Sequence, residues 1–215
     1  MKESPMADTT LYGFDGSTYV RTAKTILNRK GVDYDQVQVN VLEGETHQDE
    51  HLKRHPFGKV PVLDIDGHRI LETTAIVFYV EQSRGGPSAI PESAWDRARM
   101  NEVMSIVGSY GYDALVGTAF YHIMPEFIGN PSEEQHHKTL DEAKKVLTLI
   151  DEIRAGDDWL AGGSVSLADY YLGPILFYTN MTPHKDELLD IGGLRAWWER
   201  LSADPDFAKT EPAMG

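Results

Sequence analysis

The sequence predicts an α+β domain of element order βαβ-α-ββα, followed by an all-α domain. Three observations carry this. Residues 9–84 alternate strand-like and helix-like patterns. Residues 85–92, "GGPSAIPE", form a Gly/Pro-rich break. Beyond that break only helical periodicity is found, over a length ordinary for a domain. The expected division is therefore 1–84, a linker at 85–92, and a helical domain at 93–215.

The elements follow in order. "TLYGF" (9–13) is a short strand candidate. Residues 18–30 place Tyr19, Val20, Ala23, Ile26 and Leu27 at helical spacing, and Gly31 follows as a stop. "YDQVQVNV" (34–41) alternates apolar and polar residues, as a half-buried strand does. Residues 46–54 are polar and read as a short helix or loop. "VPVLDID" and "HRIL" flank Asp66-Gly67, a hairpin signal. Residues 73–84 return to helix. In the second part, 93–124 and 132–155 read as long helices, the latter with a stripe of Leu140, Ala143, Leu147 and Ile150. Further helices start near 166 and span 193–202. Ser166 and Asp169 form a capping box, with Asp where Glu or Gln is commoner.

Composition narrows the function. The 215 residues contain no cysteine. A disulfide framework, a protein thiolate nucleophile and a thiolate metal site are thereby excluded. Any sulfur chemistry must bring its sulfur with a ligand. The net charge is −14. Residues 1–84 hold 10 Lys+Arg against 13 Asp+Glu, and residues 85–215 hold 10 against 21. Such an acidic surface argues against nucleic acid or an anionic membrane as partner. No apolar run approaches the roughly 20 residues of a membrane span. The polar start "MKESPMADTT" lacks the apolar core of a signal peptide. A soluble cytoplasmic protein is expected.

His47, His51 and His55 are spaced i, i+4, i+8 and would share one face of a helix. Pro56 disfavours helix at His55, and no fourth ligand stands out, so no metal is expected there. Pro61 presents a different puzzle. It lies at the start of a strand, although proline cannot donate to a sheet.

Four stretches in order, "YGFDGSTYVRT", "HPFGKVPVL", "LETTAI" and "GGSVSLADYY", make the chain resemble the cytosolic glutathione transferases. The resemblance runs from about residue 9 to 202 and is to the serine type (bacterial theta/phi-like). It implies a thioredoxin-like first domain and a helical second domain that contributes the electrophile site. It implies a cis bond before Pro61, with the Val60 N–H and C=O turned outward to pair with the cysteinyl residue of glutathione. Glu72 would meet the ligand's ammonium and Thr73 its α-carboxylate, at a helix N-terminus suited to an anion. Lys59, with His47 beside it, would meet the glycyl carboxylate.

The implied reaction is attack of the glutathione thiolate on an apolar electrophile, with dehalogenation or peroxide reduction as variants. Ser17 stands in the place of the catalytic serine, and Tyr12 is the rival, in the place other classes use for a tyrosine. Ser17 is equally a good helix N-cap. Phe14, Tyr110 and Tyr112 are candidates for the electrophile site, with Phe120 and Tyr121 beside them. Glutathione enters as co-substrate, no metal is implied, and a homodimer is expected. The alternative is a glutathione-fold ligand-binding or regulatory protein without turnover.

Overall fold

The computed structural model describes residues 8–213. It separates into two compact units. One holds the described residues up to Pro87 together with those from Pro205 onward; the other is Ser88–Asp204.

The first unit is built on a four-stranded sheet. Its strands are β1 (Thr10–Tyr12), β2 (Asp35–Val37), β3 (Val62–Ile65) and β4 (His68–Leu71), in the order β2-β1-β3-β4. β1 runs parallel to β2 and antiparallel to β3, and β3 and β4 form the expected hairpin. The parallel pair needs a crossover, which α1 (Thr18–Arg29) supplies. Its apolar stripe of Val20, Ala23, Ile26 and Leu27 is fully buried. That stripe packs on α3 (Thr73–Ser83), which buries Ile76, Val77 and Val80. Between β2 and β3 stands a short helix, α2 (Asp49–Leu52), after a 3₁₀ turn at Glu45–His47. These elements give the thioredoxin-like order that the sequence suggests.

Strand β2 is shorter than its alternating pattern. Its partner β1 ends at Tyr12, so beyond Val37 only Gly13 remains to pair, and the ladder stops. Val39 is still buried, which explains the pattern without a strand.

The second unit is helical, with an isolated bridge between Trp159 and Gly162. It comprises α4 (Ala94–Ile106), α5 (Tyr112–Ile123), α6 (Glu133–Arg154), α7 (Leu167–Thr179), α8 (Lys185–Leu189) and α9 (Leu194–Ser202). The single helix expected over 93–124 is interrupted. Val107–Gly111 forms a π turn between α4 and α5, in a stretch carrying Gly108 and Gly111. Helix α7 is the buried centre of the unit, packed by α4 and α5.

The capping box at its start is present, and Asp169 does more than cap. Its fully buried carboxylate accepts from the Leu160 N–H at 2.9 Å and from Trp197 Nε1–H at 2.7 Å. It also accepts from the Ser166 N–H at 2.7 Å and the Ser166 hydroxyl at 2.8 Å. Burial pushes the carboxyl up, while these four donors favour the charged form.

Two boundaries differ from the sequence expectation. The stretch 85–92 is divided: Ala89 is buried, and its C=O accepts the Leu167 N–H at 2.9 Å, closing the entry to α7. The segment after Asp204 belongs with the first unit. It forms α10 (Pro205–Ala208), and its buried Phe207 lies under the Arg21 guanidinium at 3.9 Å. Arg21 Nε donates to Thr210 Oγ1 at 3.4 Å. A four-residue helix leaves no periodicity to read, so this return was invisible in the sequence. No helix among the described residues is long and apolar enough to cross a membrane.

Candidate functional site

The sheet register gathers the site. Val37, Tyr12, Val62 and Leu71 lie opposite one another in a single row across the four strands. Each candidate segment leaves the sheet from this row. The 13–17 loop follows Tyr12, Val60-Pro61 precedes Val62, Glu72-Thr73 follows Leu71, and the path to His47 follows Val37. Residues scattered over 60 positions of sequence are thus brought to one end of one sheet.

Ser17 is the N-cap of α1, half-buried, and its Oγ accepts from the Val20 N–H at 3.4 Å. A serine hydroxyl carries one donor and two acceptor lone pairs. The cap uses only the acceptor side. The hydroxyl proton has no acceptor among the described residues.

The loop that holds Ser17 is pinned by Asp15, a residue the sequence reading passed over. Its carboxylate accepts from Lys24 Nζ at 2.6 Å, Gln36 Nε2 at 2.9 Å and Gln38 Nε2 at 3.0 Å. Burial works to raise the Asp15 carboxyl, but Lys24 and the two glutamines hold it below its ordinary value. Gly16 is needed for the same loop. A Cβ there would stand 2.4 Å from the Phe14 ring, and Phe14 is itself half-buried.

Tyr12 is differently placed. Its hydroxyl donates to Asp64 Oδ2 at 3.2 Å. Arg69 holds Asp64 with two hydrogen bonds of 2.7 and 2.6 Å and keeps its carboxyl below the usual range. The Arg54 guanidinium lies over the Tyr12 ring at 4.6 Å. An ionised carboxylate can only accept, so the one phenolic proton is committed.

The Val60–Pro61 bond is cis. Neither the N–H nor the C=O of Val60 has a hydrogen-bond partner among the described residues. Just before it, His51 is buried and its Nε2 meets the Lys59 C=O at 2.8 Å, leaving the exposed Lys59 ammonium outward. His47 is exposed, with Nδ1 3.0 Å from Thr46 Oγ1. Gly58, at φ +60°, lets this turn close on it: a Cβ at Gly58 would meet Thr46 O at 2.9 Å and His47 Nε2 at 3.3 Å. His47 and the residue preceding Lys59 are therefore neighbours.

Glu72 is a non-glycine residue in the left-handed region, at φ 68°. Such a conformation costs roughly 1–3 kcal/mol and persists where surrounding structure imposes it, often at ligand sites. The side chain is 73% exposed, with Oε1 3.8 Å from His55 Nε2. His55 was weighed in sequence only as a metal ligand; here it supports Glu72. It is buried, and its Nδ1 accepts the Phe57 N–H at 3.3 Å, which leaves the proton on Nε2, toward Glu72. Burial holds the His55 imidazole below its ordinary range, against the pull of Glu72. Thr73 is buried at the first position of α3, whose N-terminus has no side-chain cap.

The aromatic candidates of the helical unit divide. Phe120 packs edge-on against Phe127 and Tyr178, and Tyr121 stacks on His136 at 3.9 Å, so both serve packing. Tyr112 is half-buried at the start of α5. Tyr110, on the π turn, is 71% exposed.

The chain is similar to known proteins over most of its length. Residues 7–82 match the glutathione S-transferase N-terminal domain family, and residues 103–205 match the C-terminal domain family. The chain is 30% identical over 215 residues to "Glutathione S-transferase 3" of Zea mays, covering 97% of this chain and 96% of that one. Among solved structures, glutathione transferase F7 from Populus trichocarpa superposes with a TM-score of 0.85 at 26% identity, covering 96% and 99% of the two chains. A glutathione S-transferase-I bound with the ligand lactoylglutathione superposes with a TM-score of 0.81 at 27% identity, covering 95% and 99%.

Proposed function

The chain belongs to the glutathione S-transferase family, and we propose that it activates the glutathione thiol through Ser17 for attack on an apolar electrophile. The observation that carries the choice of Ser17 over Tyr12 is the state of the two hydroxyl protons. That of Ser17 is uncommitted while its lone pair caps α1; that of Tyr12 is given to Asp64.

A free thiol has a pKa of about 8.5, so little thiolate exists at neutral pH. A hydroxyl donating to the sulfur anion, beside the positive end of α1, shifts that balance. In this reading the backbone of Val60 pairs with the cysteinyl residue. Glu72 receives the ligand's ammonium, and Thr73 with the N-terminus of α3 receives its α-carboxylate. Lys59 and His47 receive the glycyl carboxylate. The exposure of Glu72 and Lys59 and the unpaired Val60 backbone support these roles.

The reading assigns the electrophile contacts to Phe14, Tyr110 and Tyr112, and the exposed ring of Tyr110 on a π turn supports the second of these. In conjugation of a halide a C–S bond forms, the C–halogen bond breaks, and halide leaves. The enzyme is further proposed to be a homodimer, a reading supported by Phe57, which is 74% exposed. Sedimentation at micromolar concentration should give twice the chain mass; a monomer overturns that part.

The test of function is consumption of thiol from glutathione in the presence of an aryl halide, a haloalkane and an organic hydroperoxide in turn. Turnover above the uncatalysed rate with at least one of them is expected. Glutathione binding with no turnover of any would mark a ligand-binding protein instead.

A further inference from the structure

Three histidines meet in the helical unit, far apart in sequence and unused by the reading above. His122 lies in the last turn of α5, His136 in the first turn of α6, and His184 immediately before α8. Their ring centroids form a nearly equilateral triangle of 5.0, 5.0 and 5.2 Å. One ligand nitrogen from each lies within 4.8 Å of the others. From this geometry we infer a binding site for one divalent cation of zinc type, held by His122, His136 and His184.

The distances suit such an ion. With metal–nitrogen bonds of about 2.0–2.1 Å in tetrahedral geometry, ligand nitrogens stand roughly 3.3 Å apart. His136 Nε2 and His184 Nε2 are 3.0 Å apart, and His122 completes the face from the solvent side, where its exposed ring is free to adjust. Three imidazoles leave a fourth position for water.

The surroundings are those of a ligand set rather than of a packed histidine. His184 Nδ1 lies 3.2 Å from Glu187 Oε2, so the carboxylate holds the proton on Nδ1 and presents the Nε2 lone pair inward. Lys144 in turn pairs with Glu187. His136 is 4% exposed, and its only hydrogen-bond partner among the described residues is the His184 ring; its Nδ1 has none. In one tautomer of His136 two lone pairs therefore oppose at 3.0 Å; in the other a buried lone pair goes unmatched. A buried polar group left this way is costly. A cation accepts the inward lone pairs. Tyr121, stacked on His136 at 3.9 Å, fixes the plane of that ring.

Such an ion would clamp the ends of α5 and α6 to the turn entering α8. The inference does not rest on the glutathione reading and is tested without catalysis. Chain free of any affinity tag is stripped with chelator and titrated with Zn²⁺ by calorimetry, with Co²⁺ as a spectroscopic probe. One ion per chain is expected, with a tetrahedral Co²⁺ spectrum and a rise in Tm. His122→Ala and His184→Ala should each weaken Zn²⁺ at least tenfold and abolish the rise, while His137→Ala, an exposed neighbour on α6, should leave both unchanged. His122 is exposed, so its replacement keeps the fold even where that of His184 does not. Failure to bind one ion per chain, or binding that His122→Ala leaves intact, overturns the site.

Discussion

Residues first: the site depends on which groups have protons or lone pairs to spare. Glu72 stands in the left-handed region with its carboxylate toward solvent and His55 behind it. Nothing in its place at a helix start requires a charge, since it makes no side-chain cap. Glu72→Gln should therefore raise the KM for glutathione, with the melting temperature nearly unchanged. Unaltered glutathione affinity would reduce Glu72 to a residue of the β4–α3 junction. The residues proposed to bind glutathione could be picked out because they fall in short contiguous motifs. Asp15 and His55 were not, because their roles come from partners 9 to 23 residues away. The three-histidine cluster was hidden for the same reason. Its members lie in separate elements, whereas the regular spacing of His47, His51 and His55 drew attention to rings that serve other contacts.

At the level of elements, buried polar contacts at helix ends add to the stability that the apolar core supplies. Ser166 gives its N–H and hydroxyl to Asp169 at the entry of α7. Ser166→Ala should lower stability by about 0.5–2 kcal/mol, in the range for lost caps, with turnover per folded molecule unchanged. Denaturant unfolding beside a kinetic assay separates the two; impaired turnover at full stability would show the box to have another duty. Lys30 at the end of α1 and Glu81 in α3 form an ion pair at 2.9 Å with side chains 2% and 1% exposed. Glu81→Gln leaves the lysine buried beside a neutral group, and the unfolding free energy should fall by about 3–5 kcal/mol. A loss under 1 kcal/mol would mean that the ammonium escapes to water. The longer helices were the most legible, since α1 and α6 carry clear stripes. The π turn at Val107–Gly111 was missed because it leaves the apolar spacing on either side nearly intact, and α8 and α10 are too short to show a period.

In the whole molecule, the cross-strand row Val37–Tyr12–Val62–Leu71 is what makes one site of four loops. The order of elements was readable, whereas the strand order β2-β1-β3-β4 came from the structure. What composition could not reveal is which hydroxyl keeps its proton uncommitted: that of Tyr12 goes to Asp64, and that of Ser17 has no acceptor among the described residues. The absence of cysteine from the chain makes that question measurable, because a thiolate absorbance in the complex belongs to glutathione alone. The decisive measurement is therefore the pH titration of that absorbance for the glutathione complex of the unaltered chain, Ser17→Ala and Tyr12→Phe. Removing one charge-assisted hydrogen bond costs about 1.5–3 kcal/mol, equivalent to roughly one to two pKa units. The bound thiol should titrate below its free value in the unaltered chain, rise by that amount in Ser17→Ala, and move little in Tyr12→Phe. A rise in Tyr12→Phe with none in Ser17→Ala would contradict the account and leave Ser17 a helix cap.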